Sequence, residues 1–389
     1  MTANLRPTTR ILHSGHDPRD SHGAVNPPVY HMSTILSPDY DAYRNRLSAP
    51  VVYGRSGSPT TMALARAVSA LEGAEDTLLA PSGVAAIALV LSAFAGPDRE
   101  ILVTDAVYEP VRKFAAGPLA QYGTTVRFYD PQDPAGLEAM ITPRTALVWL
   151  ESPASQTFEM QDLRAAADIA RRHGIVTATD NTWATGYFCK PLALGVDISV
   201  TAATKYIGGH SDLMLGAVSA SGKVLERLSD FSDRYGYCIS GDDAYLALRG
   251  LRTLPLRMDR HYTSSILVAR ALADLAGVRR VMHPALPHDP GHALWQRDFT
   301  GASGLFGFVL DPRGEEVMRR FFNGLRLYGM GGSWGGYESL LIPTWPEKTR
   351  KVRRWQPGGQ TMRIHVGLEQ VDDLLEDLVQ GIACWNAGP

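Results

Sequence analysis

The chain has 389 residues, 45% of them apolar and 20% charged, with 38 basic residues against 40 acidic and a formal net charge of −2. That composition belongs to a globular chain long enough for a large core or two, and no run of about 18 apolar residues is present to span a membrane. The near-neutral balance argues against nucleic acid as the main partner.

The opening stretch, MTANLRPTTRILHSGHDPRD, lacks the apolar core of a signal peptide. Three scattered cysteines, Cys189, Cys238 and Cys384, form no disulfide framework and fit a reducing cytoplasm. The eleven histidines show no ligand spacing, so no metal is expected. Residues 1–57 read as an irregular arm, broken by Pro27, Pro28, Pro38, Pro50 and several glycines. An arm so poor in apolar pattern gains little from folding back on its own domain and is expected to reach a neighbouring subunit. Within it, Tyr53 and Arg55 form a phosphate-binding type of pair, since a guanidinium matches phosphate oxygens bidentately.

Apolar spacing predicts a helix from Thr60 to Glu75. A short strand, Thr77–Ala80, then runs through the turn Pro81–Ser82–Gly83 into an apolar helix. Free N–H groups and the helix dipole converge at such a turn and suit an anion. The turn lacks GxGxxG and GxxxxGK[ST], so one small phosphate monoester is expected rather than a dinucleotide or a nucleoside triphosphate.

Strands and helices alternate next. Strands are predicted at Ile101–Asp105, Thr124–Asp130, Thr145–Pro153, Ile175–Asp180 and Asp197–Thr201. Helices are predicted at Tyr108–Tyr122, Pro134–Met140 and Met160–Gly174. The alternation implies parallel strands with right-handed crossovers, so functional groups should gather at the carboxyl edge. Tyr108, Glu151, Asp180 and Lys205 all fall just past strand ends. Lys205 sits among Ala202, Ala203 and Thr204, where partial desolvation lowers an amine's pKa and equips it to form a Schiff base.

After about Ala220 the character shifts. A helical stretch, Asp242–Leu275, is expected to break near Pro255. Beyond it come a strand in Ser303–Asp311, a helix Gly314–Gly324, the glycine-rich Tyr328–Leu341, a strand in Thr361–Glu369 and a terminal helix Val371–Trp385. The basic cluster Arg350, Lys351, Arg353 and Arg354 reads as a solvated face. The domains expected are the arm (1–57), a large α/β domain (58–250) and a C-terminal α+β domain (251–389).

A lysine, a strand-end aspartate, an aromatic ring and a phosphate cradle at one edge are what pyridoxal 5′-phosphate requires. Lysine holds the cofactor, aspartate keeps the ring nitrogen protonated, the aromatic face stacks and the Ser-Gly turn takes the phosphate. The stretches VNPPVYHMST, YGRSGSPT, VYEP, LESPASQT, DNTWATG, AATKYIGGHSD, LRGLRTL, HPALP, RDFTGASGLFGFVL, SWGGYESL and RIHVGLE carry a resemblance that runs from about Arg10 to the C-terminus. They resemble the Cys/Met-metabolism (trans-sulfuration) family of fold-type I pyridoxal-phosphate enzymes.

The resemblance implies a mostly parallel α/β sheet flanked by helices, with a smaller C-terminal α+β domain and an N-terminal arm. It assigns Lys205 as cofactor lysine and proton shuttle, Asp180 as partner of the ring nitrogen, and Tyr108 as the stacking ring and a catalytic group. Ser82, Gly83, Val84, Thr204 and Thr182 fall at cofactor-binding positions. Tyr53 and Arg55 correspond to a pair reaching the phosphate from the neighbouring subunit, Tyr53 also counting as catalytic. Arg363, with Ser333, Trp334 and Ser155, corresponds to the substrate side.

Ala202, Ser155 and Trp334 resemble the branch of the family that performs α,β-elimination. Gly332, where that branch often has tyrosine, and the segment 233–245 depart from the pattern. The implied reaction cleaves L-cystathionine and related cysteine S-conjugates to a thiol, pyruvate and ammonia, a step toward methionine. The alternatives are a γ-synthase- or sulfhydrylase-type transferase of the same family and a non-catalytic protein on this fold. The implied assembly is a cytoplasmic homotetramer built from dimers that share active sites.

Overall fold

The computed structural model describes residues 5–387. The first four residues of the expected arm and the last two of the chain lie outside the described residues. The larger sheet contains β1 (Asp76–Ala80), β2 (Glu100–Thr104), β3 (Thr125–Tyr129), β4 (Thr145–Glu151), β5 (Val176–Asp180), β6 (Ile198–Thr201) and β7 (Gly216–Ala220). Their order is β1-β7-β6-β5-β4-β2-β3. Strands β2 to β6 pair in parallel, while β7 runs antiparallel to both β6 and β1.

Helices cover both faces, and the strand residues divide between them by the two-residue period. Leu102, Val148 and Leu150 join Leu64, Val68 and Leu71 of helix Pro59–Glu72 in one core. Ile101, Val103, Leu147 and Trp149 join Ile87 and Val90 of helix Gly83–Ala93 in the other. Helix Pro59–Glu72 starts on a capping box, in which Ser58 and Thr61 exchange side-chain-to-backbone bonds.

The smaller sheet is antiparallel, β8 (Val278–Met282), β9 (Leu305–Leu310), β10 (Leu340–Thr344) and β11 (Gln360–His365), in the order β10-β11-β9-β8. Phe306, Phe308 and Leu310 of β9 pack with Phe321 and with Trp385 of the terminal helix. Elements without a counterpart in the prediction include β7, β8, β10 and the helices Gly222–Tyr235 and His292–Asp298. The stretch GAVSA of β7 is five small residues without the branched pattern of a strand, and only its position between β1 and β6 makes it one.

The expected break at Pro255 is absent, and one helix runs from Gly241 to Ala273 over 33 residues. A mid-helix proline costs about 3 kcal/mol. Leu251, Leu254 and Met258 are fully buried beside it, and each such side chain contributes about 1.5–3 kcal/mol, so packing outweighs the lost bond. The guanidinium of Arg257 also donates to the Gly250 carbonyl at 2.7 Å. The expected boundary at 250/251 falls inside this helix: Ala244–Met258 joins the core of the large sheet, and Val268–Leu272 that of the small one.

The arm also needs correcting in part. Its helix Pro7–His13 folds back on its own chain, burying Ile11, and Arg252 donates to the Ile11 and Leu12 carbonyls at 2.8 and 2.6 Å. Farther along, Val25, Leu36 and Leu47 are 79–88% exposed. Among the described residues no helix is long and apolar enough to cross a membrane.

Candidate active site

The carboxyl ends of the parallel strands meet the small sheet at a cleft of about 220 Å³. Glu151 closes β4 and Asp180 closes β5, directly opposite each other in register. Lys205 follows β6 in a tight turn, its N–H bonded to the Ala202 carbonyl at 3.0 Å. Ser82, Gly83, Val84, Tyr108, Ser155, Thr182, Thr204, Trp334 and Arg363 also line this cleft. Tyr53 and Arg55 do not. Arg55 instead pairs with Asp233 of its own chain at 2.9 Å, and Tyr53 is half exposed.

Glycine brings the anion cradle against the lysine turn. A Cβ on Gly83 would stand 2.6 Å from the Ala202 Cβ, so no other residue lets helix Gly83–Ala93 start this close. Ser82 caps that helix by accepting from Ala85 N at 3.1 Å. The N–H groups of Gly83 and Val84 lie in the first turn, where the helix offers no carbonyl partner. Across the cleft a Cβ on Gly335, at φ +87°, would stand 3.0 Å from the Lys205 backbone, so glycine lets that loop pack against the lysine turn. His365 steadies this loop, accepting from Gly335 N at 3.2 Å through Nε2 and donating from Nδ1 to the Glu338 carbonyl at 3.0 Å. Burial holds His365 neutral.

The Lys205 amine donates to Ser333 Oγ at 2.5 Å and lies 5.4 Å from the Trp334 ring centre. Burial, aided by the nearby Arg363 cation, depresses its pKa from 10.5 to about 8. Arg363, on β11, donates to the Ser333 and Gly331 carbonyls at 3.1 and 3.3 Å. Burial lowers it to about 10. Among the described residues Arg363 has no carboxylate in ion-pair contact, which leaves a partly buried guanidinium available to an incoming anion.

Burial pushes Asp180 up, and hydrogen bonds from Thr182, including its N–H at 2.9 Å, pull it back. The Thr182 hydroxyl accepts from Ala202 N at 2.9 Å, tying β5 to the lysine turn. Tyr108 donates its N–H to Glu151 Oε2 at 2.9 Å, and burial together with Asp180 raises its phenol. Thr204 turns its hydroxyl to the Leu215 backbone, donating at 3.1 Å and accepting at 2.9 Å.

Glu151 has no role in the sequence reading beyond its strand-end position. It is buried, and burial reinforced by Asp180 holds its carboxyl well above the usual range. A carboxylate closing a run of buried apolar residues was the signal for it. Trp183 and Met214 also line the cleft, with nothing in their local sequence to mark them.

The residues present fit pyridoxal phosphate. Gly83 lets the helix start, with its first-turn N–H groups, sit against the lysine turn, the partly buried Asp180 carboxyl faces the cleft, and Lys205 lines the same space. Among the described residues no group of three or more His, Cys, Asp or Glu is placed to hold a metal ion.

A family model described as Cys/Met metabolism PLP-dependent enzyme matches residues 8–383. A putative cystathionine beta-lyase of Rhizobium johnstonii is 46% identical, over 100% of this chain and 98% of that one. A cystathionine beta-lyase of Bordetella avium is 40% identical over 96% of each. The crystal structure of MetB from Corynebacterium glutamicum superposes with a TM-score of 0.91 at 30% identity, covering 98% of this chain and 99% of that one.

Proposed function

Since the chain belongs to the Cys/Met metabolism family of PLP-dependent enzymes, we propose that it is a cystathionine β-lyase, cleaving L-cystathionine to homocysteine, pyruvate and ammonia. The observation that carries this reading is the Lys205 amine, bonded to Ser333 between partly buried Asp180 and the unpaired Arg363 guanidinium. The lyase names of the Rhizobium and Bordetella relatives, and Ser155 and Trp334 at the cleft, favour elimination over the transferase alternative.

Pyridoxal phosphate, when bound, supplies a protonated ring that accepts the electron pair left at the substrate Cα. Lys205 would hold it through its amine, Asp180 at the ring nitrogen, Tyr108 against the ring face, and the Ser82–Val84 turn with Thr204 around the phosphate. Arg363 binds the α-carboxylate of the amino-acid substrate and so fixes which hydrogen of Cα faces Lys205. With its pKa lowered to about 8, the Lys205 amine reaches its free-base form near neutral pH and takes that proton, and its bond to Ser333 holds Nζ in place. The Cβ–S bond breaks with its electron pair on sulfur, and the thiolate leaves as homocysteine after protonation. The three-carbon product, aminoacrylate, is hydrolysed to pyruvate and ammonia. Glu151, kept neutral by burial and Asp180, adds no second negative charge beside Asp180.

In this reading residues 58–250 hold the cofactor and 251–389 bring Arg363 and Ser333. The exposed part of the arm delivers Tyr53 and Arg55 to the phosphate of a neighbouring subunit, in dimers that pair into a tetramer. What supports the sharing is that both residues lie outside the cleft of their own chain while the arm exposes Val25, Leu36 and Leu47. Three unpaired cysteines fit a cytoplasmic setting.

Incubation of the cofactor-loaded protein with L-cystathionine, cystine, cysteine and O-acylhomoserines tests the reading. Pyruvate and homocysteine from cystathionine are expected, and borohydride should fix the cofactor to Lys205. Thioether formation from an acylhomoserine and cysteine, with no pyruvate from cystathionine, would overturn it.

A further inference from the structure

A second cavity, of about 280 Å³, lies behind the substrate side of the cleft, and Phe158 forms a wall of both. The basic cluster expected to be a solvated face divides here. Arg353 and Arg354 are exposed at the rim, but the Arg350 side chain is 4% exposed. Its Nε donates to Asp105 Oδ2 at 3.2 Å, and its Nη1 to Glu159 Oε2 at 2.5 Å and Thr157 Oγ1 at 3.3 Å. The remaining nitrogen, Nη2, is buried and has no partner among the described residues.

Two buried N–H groups on a cation are costly to leave unmade, so this orphan calls for an acceptor. The cavity beside it carries three further guanidinium groups, those of Arg280, Arg353 and Arg354. Arg353 is engaged by Gln132 and lies 3.9 Å from the Asp130 carboxylate, Arg280 lies 5.5 Å from the Trp355 ring centre, and no carboxylate pairs with Arg354 among the described residues. Arg350 is paired with Asp105 and Glu159, which leaves Arg280 and Arg354 facing the one further carboxyl of the lining, Asp289. Glu159 is committed to Arg350, and Asp289 accepts from Gly291 N at 2.8 Å while burial raises its pKa. The wall is therefore cationic, with a planar donor at its buried end and flexible arginines at its mouth.

We propose that this cavity is a second ligand site, taking a small oxyanion, a phosphate or a dicarboxylate, on Arg350 Nη2 with Arg353 and Arg354 closing over it. Such geometry suits both oxygens of a carboxylate and the tetrahedral oxygens of phosphate, through charge-assisted bonds. The site is distinct from the cofactor cradle, which lies on helix Gly83–Ala93.

The test uses the holoenzyme, so that the cofactor's own phosphate already fills the cradle. Inorganic phosphate in one arm and succinate in the other are titrated at fixed ionic strength, by calorimetry and by tryptophan fluorescence, since Trp355 lines the cavity. Saturable binding of one anion per chain is expected in at least one arm, and which arm responds identifies the class. The variant Arg353→Gln/Arg354→Gln should weaken it by about tenfold or more, a charge-assisted bond to each being lost. Its visible cofactor band and turnover should be unchanged, because neither residue lines the cleft. Absence of saturable binding in both arms, or undiminished binding by the variant, would overturn the proposal.

Discussion

Gly83→Ala tests most directly how the cradle is built. The added Cβ would lie 2.6 Å from the Ala202 Cβ and 3.3 Å from its Cα, whereas carbon atoms rest about 3.5–4.0 Å apart. Something must yield by about 1 Å. The Ser82 turn has little room to do so on the β7 side, since a Cβ on Gly216 would stand only 2.3 Å from the Ser82 carbonyl oxygen. The helix start therefore moves away from Lys205, carrying the Gly83 and Val84 N–H groups with it. Overpacking of this kind costs about 1–3 kcal/mol of stability. Misplacing one charge-assisted bond to the phosphate costs about 1.5–3 kcal/mol, or about 10- to 150-fold in cofactor affinity. Titrating cofactor-free protein with pyridoxal phosphate, followed by its visible band, gives that affinity, and thermal unfolding gives the stability. Val84→Ala is the control: its side chain is exposed and its N–H survives, so it should bind like the parent. The reasoning is refuted if Gly83→Ala binds the cofactor within about twofold of the parent or if Val84→Ala loses as much.

Asp180→Asn should keep its fold, because an amide oxygen can still accept from Thr182 N, while kcat for pyruvate formation falls by about 10²-fold or more. Near-parental turnover would remove the ring-nitrogen role. The Lys205 amine titrates near 8 in the folded, cofactor-free protein against 10.5 when unperturbed. Between those values the unfolded chain binds more protons, so this group makes stability rise with pH across the window. Lys205→Met should abolish that increment in urea denaturation curves recorded from pH 7 to 10.5, and an identical slope in the two proteins would count against the depressed amine. Mixing inactive Arg55→Ala with inactive Lys205→Ala, under conditions that exchange subunits, should restore part of the activity. One site of each hybrid then carries neither defect, and hybrids without recovered activity would rule out sharing across the interface.

Much of the site could be read along the chain because its chemistry is local to strand ends. Asp180, Lys205 and Tyr108 each fall at or just past the end of a short strand rich in β-branched or apolar residues, and parallel β-α alternation obliges such ends to share one edge. The Ser82–Gly83 turn announced itself in the same way, as a strand entering a helix. Residue types set these features, and folding only confirmed their positions.

Other features depend on partners distant in the chain. β7 is a strand only because β1 and β6 flank it, and helix Gly241–Ala273 survives Pro255 only because its buried face outweighs the missing bond. Glu151 has a raised carboxyl because it is buried with Asp180 opposite it, and Arg363 is a partly buried cation without a carboxylate partner among the described residues because β11 carries it beside the Gly331–Ser333 loop. Arg350 shows the division most sharply. Its local neighbours Lys351, Arg353 and Arg354 mark it as a surface charge, yet Asp105, 245 residues earlier, and Glu159 draw it inside. The local sequence determined periodicity, turns and the chemical types at strand ends, because these depend on near neighbours. Burial and charge pairing were decided by the tertiary structure, since the cost of a buried charge depends on which distant groups surround it.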